Sequence, residues 1–579
     1  MKTHYSVEKN VQMLIALLKA NNIKKIVASP GATNICFVAS AQSDSYFEIY
    51  SSVDERSAAY IACGLAAESG EPVVLSCTGA TASRNYLPGL TEAFYRHLPI
   101  LAVTATQHLG RIGNHIPQVI DRTNPLNDTV VFNAEIPTIH DEEDEWAYGV
   151  ILNRAIIALT DNGGGPVHID LTTNYSKDFS IKELPKVNVI SKYGYEDKFP
   201  SLDAKRVGIF VGSHLKWNDK LQTEIDTFCE KYNAVVFCDH TSNYQGKYRS
   251  LFNLVAGQNQ FVSGNKSMDL LIHIGEVSGA YLDLHPEKVW RVNRDGMIRD
   301  TFRRLEAVFQ TSEEYFFEAY NKMNQKPKGI EYYNSCKNEY DQFLAKLPEL
   351  PFSNEWIAKE LCSKIPHNSR MYFGILNSLR SWNFFEKDKS IIGYSNTGGF
   401  GIDGILSSAL GVSLAEPNTI VYCILGDLSF FYDMNAIGNR HVGKNLRILL
   451  INNGVGTEFK NYSHPAARFA EDADLYMAAR GHYGNKSKTL IKNYADNLGF
   501  KYLSASSKTE FSKVETEFLN PKLEEKPILL EVFTDSQDES DALRIINNLE
   551  ISGGNKAKNM VKGIIGDKGV SSLKRIIKG

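Results

Sequence analysis

The sequence predicts an α/β protein built from three doubly wound domains with parallel sheets. Short apolar runs alternate with helix-period segments along most of the 579 residues, which is the pattern of βα units feeding parallel strands. The runs also fall into three sets, separated by polar or charged connectors, and a chain of this length can bury several cores. Hydrophobic residues make up 43% and charged residues 22%, as in ordinary globular proteins.

In the first set the strand candidates are KKIVASPG, PVVLSCTG, PILAVTAT and GPVHIDL. They follow an amphipathic helix with Val11, Leu14, Ile15 and Leu18 facing inward. A linker rich in Lys, Pro and Ser runs over about 177–204. The second set is RVGIFVGS, AVVFCDHTS, DLLIHIGE and KVWRVNRDG, and a charged, aromatic helical connector spans roughly 312–350. The third set is MYFGIL, IIGYSN, TIVYCILGD, LRILLINN and PILLEVF. The expected domains are therefore 1–185, 186–335 and 336–550. A basic amphipathic tail follows at 551–579, in which Lys and Arg interleave with Val561, Ile564, Ile565, Leu573, Ile576 and Ile577. That tail predicts either a weak contact with an anionic membrane surface or an added helix that packs on the body or frays.

The net charge of −4 provides no global basic field, so nucleic acid is not expected as a partner. The eight cysteines form no CxxC pair and read as buried free thiols in a reducing compartment. No run approaches the ~18 apolar residues of a membrane span, and the N-terminal apolar run is broken by Gln12. The expected location is cytoplasmic.

The most informative stretch is Gly426-Asp427-Leu428-Ser429, which follows the apolar run TIVYCIL. One helix-like segment later, LRILLI ends in Asn452-Asn453-Gly454. Asp427 and Asn453 are thus predicted at the carboxyl ends of two parallel strands, where open α/β sheets bind ligands. A diphosphate needs its charge neutralised, and Mg²⁺ does so through hard oxygen ligands. Asp427 can offer a carboxylate oxygen, Asn453 an amide oxygen and Val455 its backbone carbonyl. Gly426 admits the backbone to the phosphates, and Ser429 can donate near a helix start. A plain βα turn would explain Gly-Asp alone; the pairing with Asn-Asn after a second apolar strand resembles the diphosphate motif of thiamine-diphosphate enzymes. That cofactor also needs an acid to exchange a proton with its aminopyrimidine ring. Glu55, in Asp54-Glu55-Arg56 after FEIYSSV, is the candidate, with Asp54 placed to cap the following helix.

The chain resembles the thiamine-diphosphate enzymes, and among them the 2-succinyl-5-enolpyruvyl-6-hydroxy-3-cyclohexene-1-carboxylate synthases of menaquinone biosynthesis. The matching stretches are Ser29-Pro30-Gly31, VDERSA at 53–58, CTGATASRNYLPGLTEA from Cys77 and Asn377-Ser378-Leu379. YSNTGGFGIDGILSSALG from Tyr394 and GDLSFFYDMNAI from Gly426 complete them. The resemblance implies a cofactor held between the first domain of one subunit and the third domain of a partner, hence a homodimer or homotetramer. It implies cofactor contacts from Gly31, Glu55, Thr78, Gly79 and Asn85, then Ser378, Asn396, Gly398, Gly399, Gly401 and Ile402. Gly426, Asp427, Leu428, Ser429, Asn453, Val455 and Gly456 close the set, with Ile402 propping the thiazolium ring. Gln118 matches a family position and His115 is a candidate proton donor, so these two join Glu55 as catalytic candidates.

The same resemblance exposes four departures. Arginines that the synthases use for anionic substrates are replaced here by Thr33, Gln107, Trp382 and Thr397. Bidentate arginine–carboxylate bonds are strong and geometrically exacting, so these losses argue against binding isochorismate and 2-oxoglutarate. Thr33, Asn34, Gln107, Trp382, Thr397 and Phe400, with His115 and Gln118, predict a more neutral substrate pocket suited to a sugar or sugar nucleotide. The expected function is a 2-oxo acid decarboxylase/carboligase that passes an acyl carbanion from a small 2-oxo acid donor to an acceptor. A simple decarboxylase, the menaquinone-pathway synthase itself and a non-catalytic scaffold are the alternatives; the joint presence of Glu55, Asp427 and Asn453 counts against the last.

Overall fold

The fold is described from a computed structural model, over residues 3–214, 217–280, 282–481 and 487–550. The basic tail at 551–579 lies outside the described residues. Contacts gather the described residues into two compact units, one within 1–198 with 295–310 and the other within 199–294 with 311–550. The expected central and third domains thus share one unit, and the segment 295–310 joins the first.

In the first unit six strands form one parallel sheet: β1 (Lys25–Ala28), β2 (Glu48–Ser51), β3 (Val73–Thr78), β4 (Ile100–Thr106), β5 (Phe132–Ile136) and β6 (Val167–Thr172). Their order is β2-β1-β3-β4-β6-β5. β3, β4 and β6 are almost wholly buried, as strands covered on both faces must be. Val74, Leu101, Val103 and Ile169 pack on one side with the helix Lys9–Ala20. That helix buries every residue from Asn10 to Leu18, so it is enclosed nearly all round, where the sequence predicted a single apolar stripe. On the other side Val27, Leu75 and Ala102 meet the alanine-rich face of the helix Glu55–Ser69. A methyl group on Gly89 would sit 2.4 Å from Ala59 Cβ; the glycine is what lets the helix Leu87–Tyr95 approach this closely. Within the expected linker, Ser191–Tyr193 is a short strand paired in parallel with Leu305–Phe309.

The second unit contributes β7 (Val207–Val211), β8 (Ala234–Phe237), β9 (Arg249–Ser250), β10 (Ser267–Ile274) and β11 (His285–Val292), running β9-β8-β7-β10-β11. The connector forms the helices Glu313–Lys322 and Glu331–Ala345. A further parallel sheet holds β12 (Arg370–Phe373), β13 (Ile392–Ser395), β14 (Val421–Gly426), β15 (Leu446–Asn452), β16 (Lys501–Ala505) and β17 (Ile528–Phe533). Its order, β13-β12-β14-β15-β17-β16, repeats that of the first sheet strand for strand. In both, the order reverses beside the first strand of the set, which creates the crevice where such sheets take ligands. Cys423, Leu425, Ile448 and Leu450 fill the core beneath the helix Ile405–Ala415.

All eight cysteines are free and buried. No helix among the described residues is long and apolar enough to cross a membrane.

Candidate active site

In the second unit β14 and β15 are hydrogen-bonded neighbours with Gly426 opposite Ile451. Asp427 and Asn453 therefore leave adjacent strand ends. Asp427 opens the helix Asp427–Asp433 and is buried. Its carboxylate accepts from Leu428 N at 2.7 Å and Gly454 N at 2.6 Å. No lysine, arginine or histidine pairs with it among the described residues. Burial pushes its pKa up to about 6, against the pull of the backbone N–H groups. A dry carboxylate without a cation is a poor resting arrangement. It suits a divalent ion, and the neighbouring donors are of the right kind. Asn453 Oδ1 receives only a long bond from Val455 N (3.4 Å), and the Val455 carbonyl only the Thr457 hydroxyl (3.3 Å). A Cβ on Gly426 would meet nothing nearer than 4.0 Å, and on Gly398 or Gly399 nothing at all within that range. The residues present fit Mg²⁺ and a diphosphate.

Two cofactor candidates are engaged differently from the sequence expectation. Ser429 donates to the Ile402 carbonyl at 2.5 Å, which ties the strand-end turn to the loop carrying Ile402 instead of leaving the hydroxyl free. Leu428 N–H is occupied by Asp427. The Ile402 loop is otherwise tightly wound. Asn396 accepts from the Tyr372 hydroxyl and donates to the Asp403 carbonyl at 3.3 Å. Phe400 sits in the left-handed region at φ 56°, and Gly401 leaves no room for a Cβ, which would lie 2.3 Å from Asp403 Oδ1. Gly456 N donates to the Ala478 carbonyl. Ser378 is buried in the short helix Asn377–Trp382, which is entered through Leu376 at φ 66°.

In the first unit the helix Glu55–Ser69 starts just past β2. Asp54 is its N-cap, accepting from Arg56 N at 2.9 Å, which leaves Glu55 free of that duty. Asn85 Nδ2 donates to Glu55 Oε2 at 3.2 Å, joining two cofactor candidates from different elements. Gly31 lies against the end of β3: a Cβ there would be 2.5 Å from Thr78 Cβ and 2.9 Å from Thr78 N. On the loop after β4, His115 and Gln118 are exposed, both with left-handed φ (55° and 65°). The Gln118 carbonyl comes within 3.4 Å of where a Gly79 Cβ would stand.

The expected neutral substrate pocket is corrected by burial. Trp382 is 0% exposed and packs on Phe373 with ring centroids 5.8 Å apart; it is core. Thr33 is 2% exposed. Its hydroxyl is 2.6 Å from that of Thr78 and donates to the Ala105 carbonyl at 2.7 Å, a strand-end clasp. Asn34, also 2% exposed, donates to the Ser29 carbonyl at 3.0 Å, and Thr397 is buried. Gln107 and Phe400 remain accessible.

Sequence reasoning passed over three arginines on these loops. Arg122 is buried in a bidentate pair with Asp170, Nη2 at 2.6 Å from Oδ1 and Nε at 3.3 Å from Oδ2, and it also donates to Ser83. Arg84 donates to the Asp121 carbonyl at 2.8 Å, and Arg111 to Gln107 Oε1. The signal was present: Arg84 follows β3, which ends in Thr78, and Arg111 and Arg122 share the segment after β4 with Gln107, His115 and Gln118. Among the described residues no group of three or more His, Cys, Asp or Glu could hold a metal.

Comparison with known proteins bears on this arrangement. Residues 9–124 match the thiamine pyrophosphate enzyme N-terminal TPP-binding domain, and residues 378–532 the corresponding C-terminal TPP-binding domain. A 2-succinyl-5-enolpyruvyl-6-hydroxy-3-cyclohexene-1-carboxylate synthase of Phocaeicola vulgatus is 30% identical over 569 residues, covering 93% of this chain and 98% of its own. Those of Bacteroides fragilis and Bacteroides thetaiotaomicron are 29% identical with the same coverage. A solved Rhodococcus jostii RHA1 thiamine diphosphate-dependent 4-hydroxybenzoylformate decarboxylase covers 91% of the chain at 15% identity and a TM-score of 0.39, a likeness too loose to bear on the chemistry. The chain belongs to the thiamine-pyrophosphate enzyme family, alongside these synthases, and is a thiamine-diphosphate-dependent enzyme of carbon–carbon chemistry.

Proposed function

We propose that the protein is a Mg²⁺-assisted 2-oxo acid decarboxylase/carboligase. The observation that carries this is Asp427: a buried carboxylate without a cation at a strand end, beside two under-used oxygens and open ground at Gly426, Gly398 and Gly399. Asp427, Asn453 and the Val455 carbonyl would hold the metal that offsets the charge of the diphosphate. Thiamine diphosphate supplies the electron sink that a 2-oxo acid needs in order to lose CO₂. Ile402, fixed by Ser429, would support the ring. Glu55, held by Asn85, would be the acid that holds and returns a proton for the aminopyrimidine. Gln118 and His115, exposed on the loop after β4, are the candidates for delivering a proton to product. A second copy of the chain is the expected assembly. Val53, Tyr60, Ile61 and Tyr95 leave an apolar surface exposed in and around the Glu55 helix, which suits an interface.

The acceptor does not follow from the pocket, since Thr33, Asn34, Trp382 and Thr397 are buried; the sugar expectation has no support in this geometry. A second reading, the reaction named for the relatives, is favoured by their similarity over nearly the whole chain. Arg84 and Arg111 also bond only to neutral acceptors, leaving them able to take a carboxylate. One assay separates these readings. The protein with Mg²⁺ and thiamine diphosphate is given pyruvate or 2-oxoglutarate, with isochorismate, a hydroxylated neutral acceptor or neither, and CO₂ and new carbon–carbon bonds are followed. An adduct with the neutral acceptor supports the first reading and one with isochorismate the second. Release of CO₂ with no adduct reduces the function to decarboxylation, and no CO₂ from either acid refutes the proposal. Arg111→Gln is expected to raise KM for the acid about tenfold or more, as loss of a charge-assisted pair does.

A further inference from the structure

A second concave site lies in the other half of the second unit, away from the strand-end turn. It is a cavity of about 700 Å³ between the edge strand β9, the helix Glu331–Ala345, the helix Asn354–Leu361 and the segment after Trp382. This is within the size range of small-molecule sites. Six cations line it, Lys247, Arg249, Lys337, Lys359, Lys387 and Lys389, against two carboxylates, Asp341 and Glu386. Lys337 is paired with Asp341 at 2.9 Å. Among the described residues no carboxylate lies within ion-pair distance of Lys359, Lys387 or Lys389.

The inner wall is the informative part. The Arg249 side chain is 4% exposed and its Nη2 lies 3.1 Å from Glu386 Oε2, yet neither Nη2 nor Nε makes a hydrogen bond. Lys387 is equally enclosed and donates only to the Ile391 carbonyl. Burial, and then the nearby Arg249 guanidinium, push the Lys387 pKa down to about 7, against the opposing pull of Glu386, Cys362 and Cys238. A buried guanidinium beside a buried amine that it helps drive toward the neutral form, with the half-exposed Glu386 the one carboxylate on Arg249, gains from an anion that would keep both groups charged. Strongly perturbed groups in a cleft mark binding sites more often than chance would place them. Tyr333, Leu344 and Phe385 supply apolar wall between the charges.

We propose that this cleft binds a small dianion carried on a flat aromatic body, with Arg249, Lys359, Lys387 and Lys389 taking the charge and Tyr333, Leu344 and Phe385 the ring. A dianion is indicated over a monoanion because, with Lys337 paired to Asp341, Lys247 to Glu230 and Arg249 to Glu386, Lys359 and Lys389 still lack a carboxylate among the described residues, and Lys387 adds charge once an anion binds. The head can be a phosphate ester or a dicarboxylate, which share this chemistry. The segment that forms the floor continues directly from the helix carrying Ser378. It is pinned by bonds from Tyr340 Oη to the Phe384 carbonyl (3.1 Å) and from Cys362 Sγ to the Phe385 carbonyl (3.1 Å), so the site is built on ordered backbone.

The test is calorimetric titration of the full chain kept saturated with thiamine diphosphate and Mg²⁺, so that the cofactor site is closed to added phosphate. The probes are phenyl phosphate, phthalate, benzoate and inorganic phosphate. Phenyl phosphate or phthalate is expected to bind at least about tenfold tighter than benzoate and inorganic phosphate, and the stronger of the two identifies the head. The exposed-side double variant Lys359→Gln/Lys389→Gln is expected to fold normally and to weaken that binding about tenfold or more; Arg249→Gln is expected to weaken it further. Absence of saturable heat from both dianions below about 10 mM overturns the proposal, as does undiminished binding in the double variant. Inorganic phosphate binding as tightly as phenyl phosphate overturns the aromatic half of it. None of these readouts depends on turnover, so the proposal stands or falls apart from the catalytic reading.

Discussion

Replacing Trp382 separates a core residue from a substrate-lining one. The indole is 0% exposed, lies against Phe373, and leaves its Nε1–H without an acceptor. Its backbone carbonyl accepts from His240 Nε2 at 2.9 Å, a bond any side chain at 382 retains. A buried tryptophan removes roughly 200–250 Å² from water, and truncation to alanine costs about 3–5 kcal/mol once the cavity is included. At about 2 °C per kcal/mol for a unit of this size, Trp382→Ala should lower the apparent Tm by about 6–10 °C. Trp382→Phe behaves differently. It loses apolar contact worth about 1–2 kcal/mol but also removes an orphaned N–H whose burial costs about 1–3 kcal/mol, so the two effects nearly cancel. The assay is thermal unfolding alongside KM for the 2-oxo acid. The expected pattern is a large Tm loss in the alanine variant and unchanged Tm and KM in the phenylalanine variant. A Trp382→Phe enzyme with unchanged Tm and a KM raised about tenfold would place the ring against substrate and refute the reasoning.

Other perturbations test other parts of the molecule. Glu55→Gln should reduce turnover by about 10²–10⁴-fold with cofactor affinity kept; calorimetric thiamine diphosphate binding and CO₂ release measured together would expose the opposite result. Gly31→Ala forces a methyl group to within 2.5 Å of Thr78 Cβ and should cost about 1–3 kcal/mol; an unchanged Tm would mean that the loop moves freely. Glu539 is buried beside Glu355, accepts from Asn354 N at 2.9 Å, and has its pKa raised well above the usual carboxyl range by burial and then by Glu355. Because the folded state keeps a proton that the unfolded chain releases, this contribution to stability is complete at low pH and is lost as pH rises through the folded value. Glu539→Gln, which mimics the protonated acid, should therefore flatten the fall in Tm as pH rises above the ordinary carboxyl range; parallel profiles for variant and wild type would show that the carboxyl is ionised.

The elements that were legible in sequence are those whose signal is local. β14 and β15 are buried on both faces, so their residues read as unbroken apolar runs, and Gly-Asp and Asn-Asn stand where those runs stop. β5 and β16 escaped notice because they close their sheets as outer strands. FNAEI and KYLSA are half-buried and only five residues long, so even the alternation of Phe132, Ala134 and Ile136 with Asn133 and Glu135 is too short to stand out. The facing of Thr33 and Trp382 was illegible for a different reason. Whether Trp382 points to the core depends on the phase of a six-residue helix set by Leu376 at φ 66° and on Phe373 as its neighbour. The Thr33 hydroxyl is claimed by Thr78 and by the carbonyl of Ala105, which are strands away in sequence. Residue type can predict a hydrogen-bonding pocket, but not which of its members the fold has already used.

The same distinction bears on the charge available for substrate. Counting arginines at the positions of the synthases suggests a site stripped of cations, yet the loops after β3 and β4 carry Arg84, Arg111 and Arg122. What matters is what each guanidinium already holds. Arg122 is neutralised by Asp170 in a dry, bidentate pair, and removing it would strand a buried carboxylate. In the second unit Arg380, inside the helix that carries Ser378, is likewise closed by Glu458 at 2.9 and 3.0 Å. Arg84 and Arg111 bond to a carbonyl and an amide oxygen, and the Asp121 carboxylate, held below its ordinary pKa first by its bonds with Thr123 and in part by Arg84, offsets some of the Arg84 charge. What the loops keep for a substrate carboxylate is therefore read from hydrogen-bond partners rather than from which residues were replaced, and Arg84 and Arg111 are the two guanidinium groups there without a bidentate carboxylate partner.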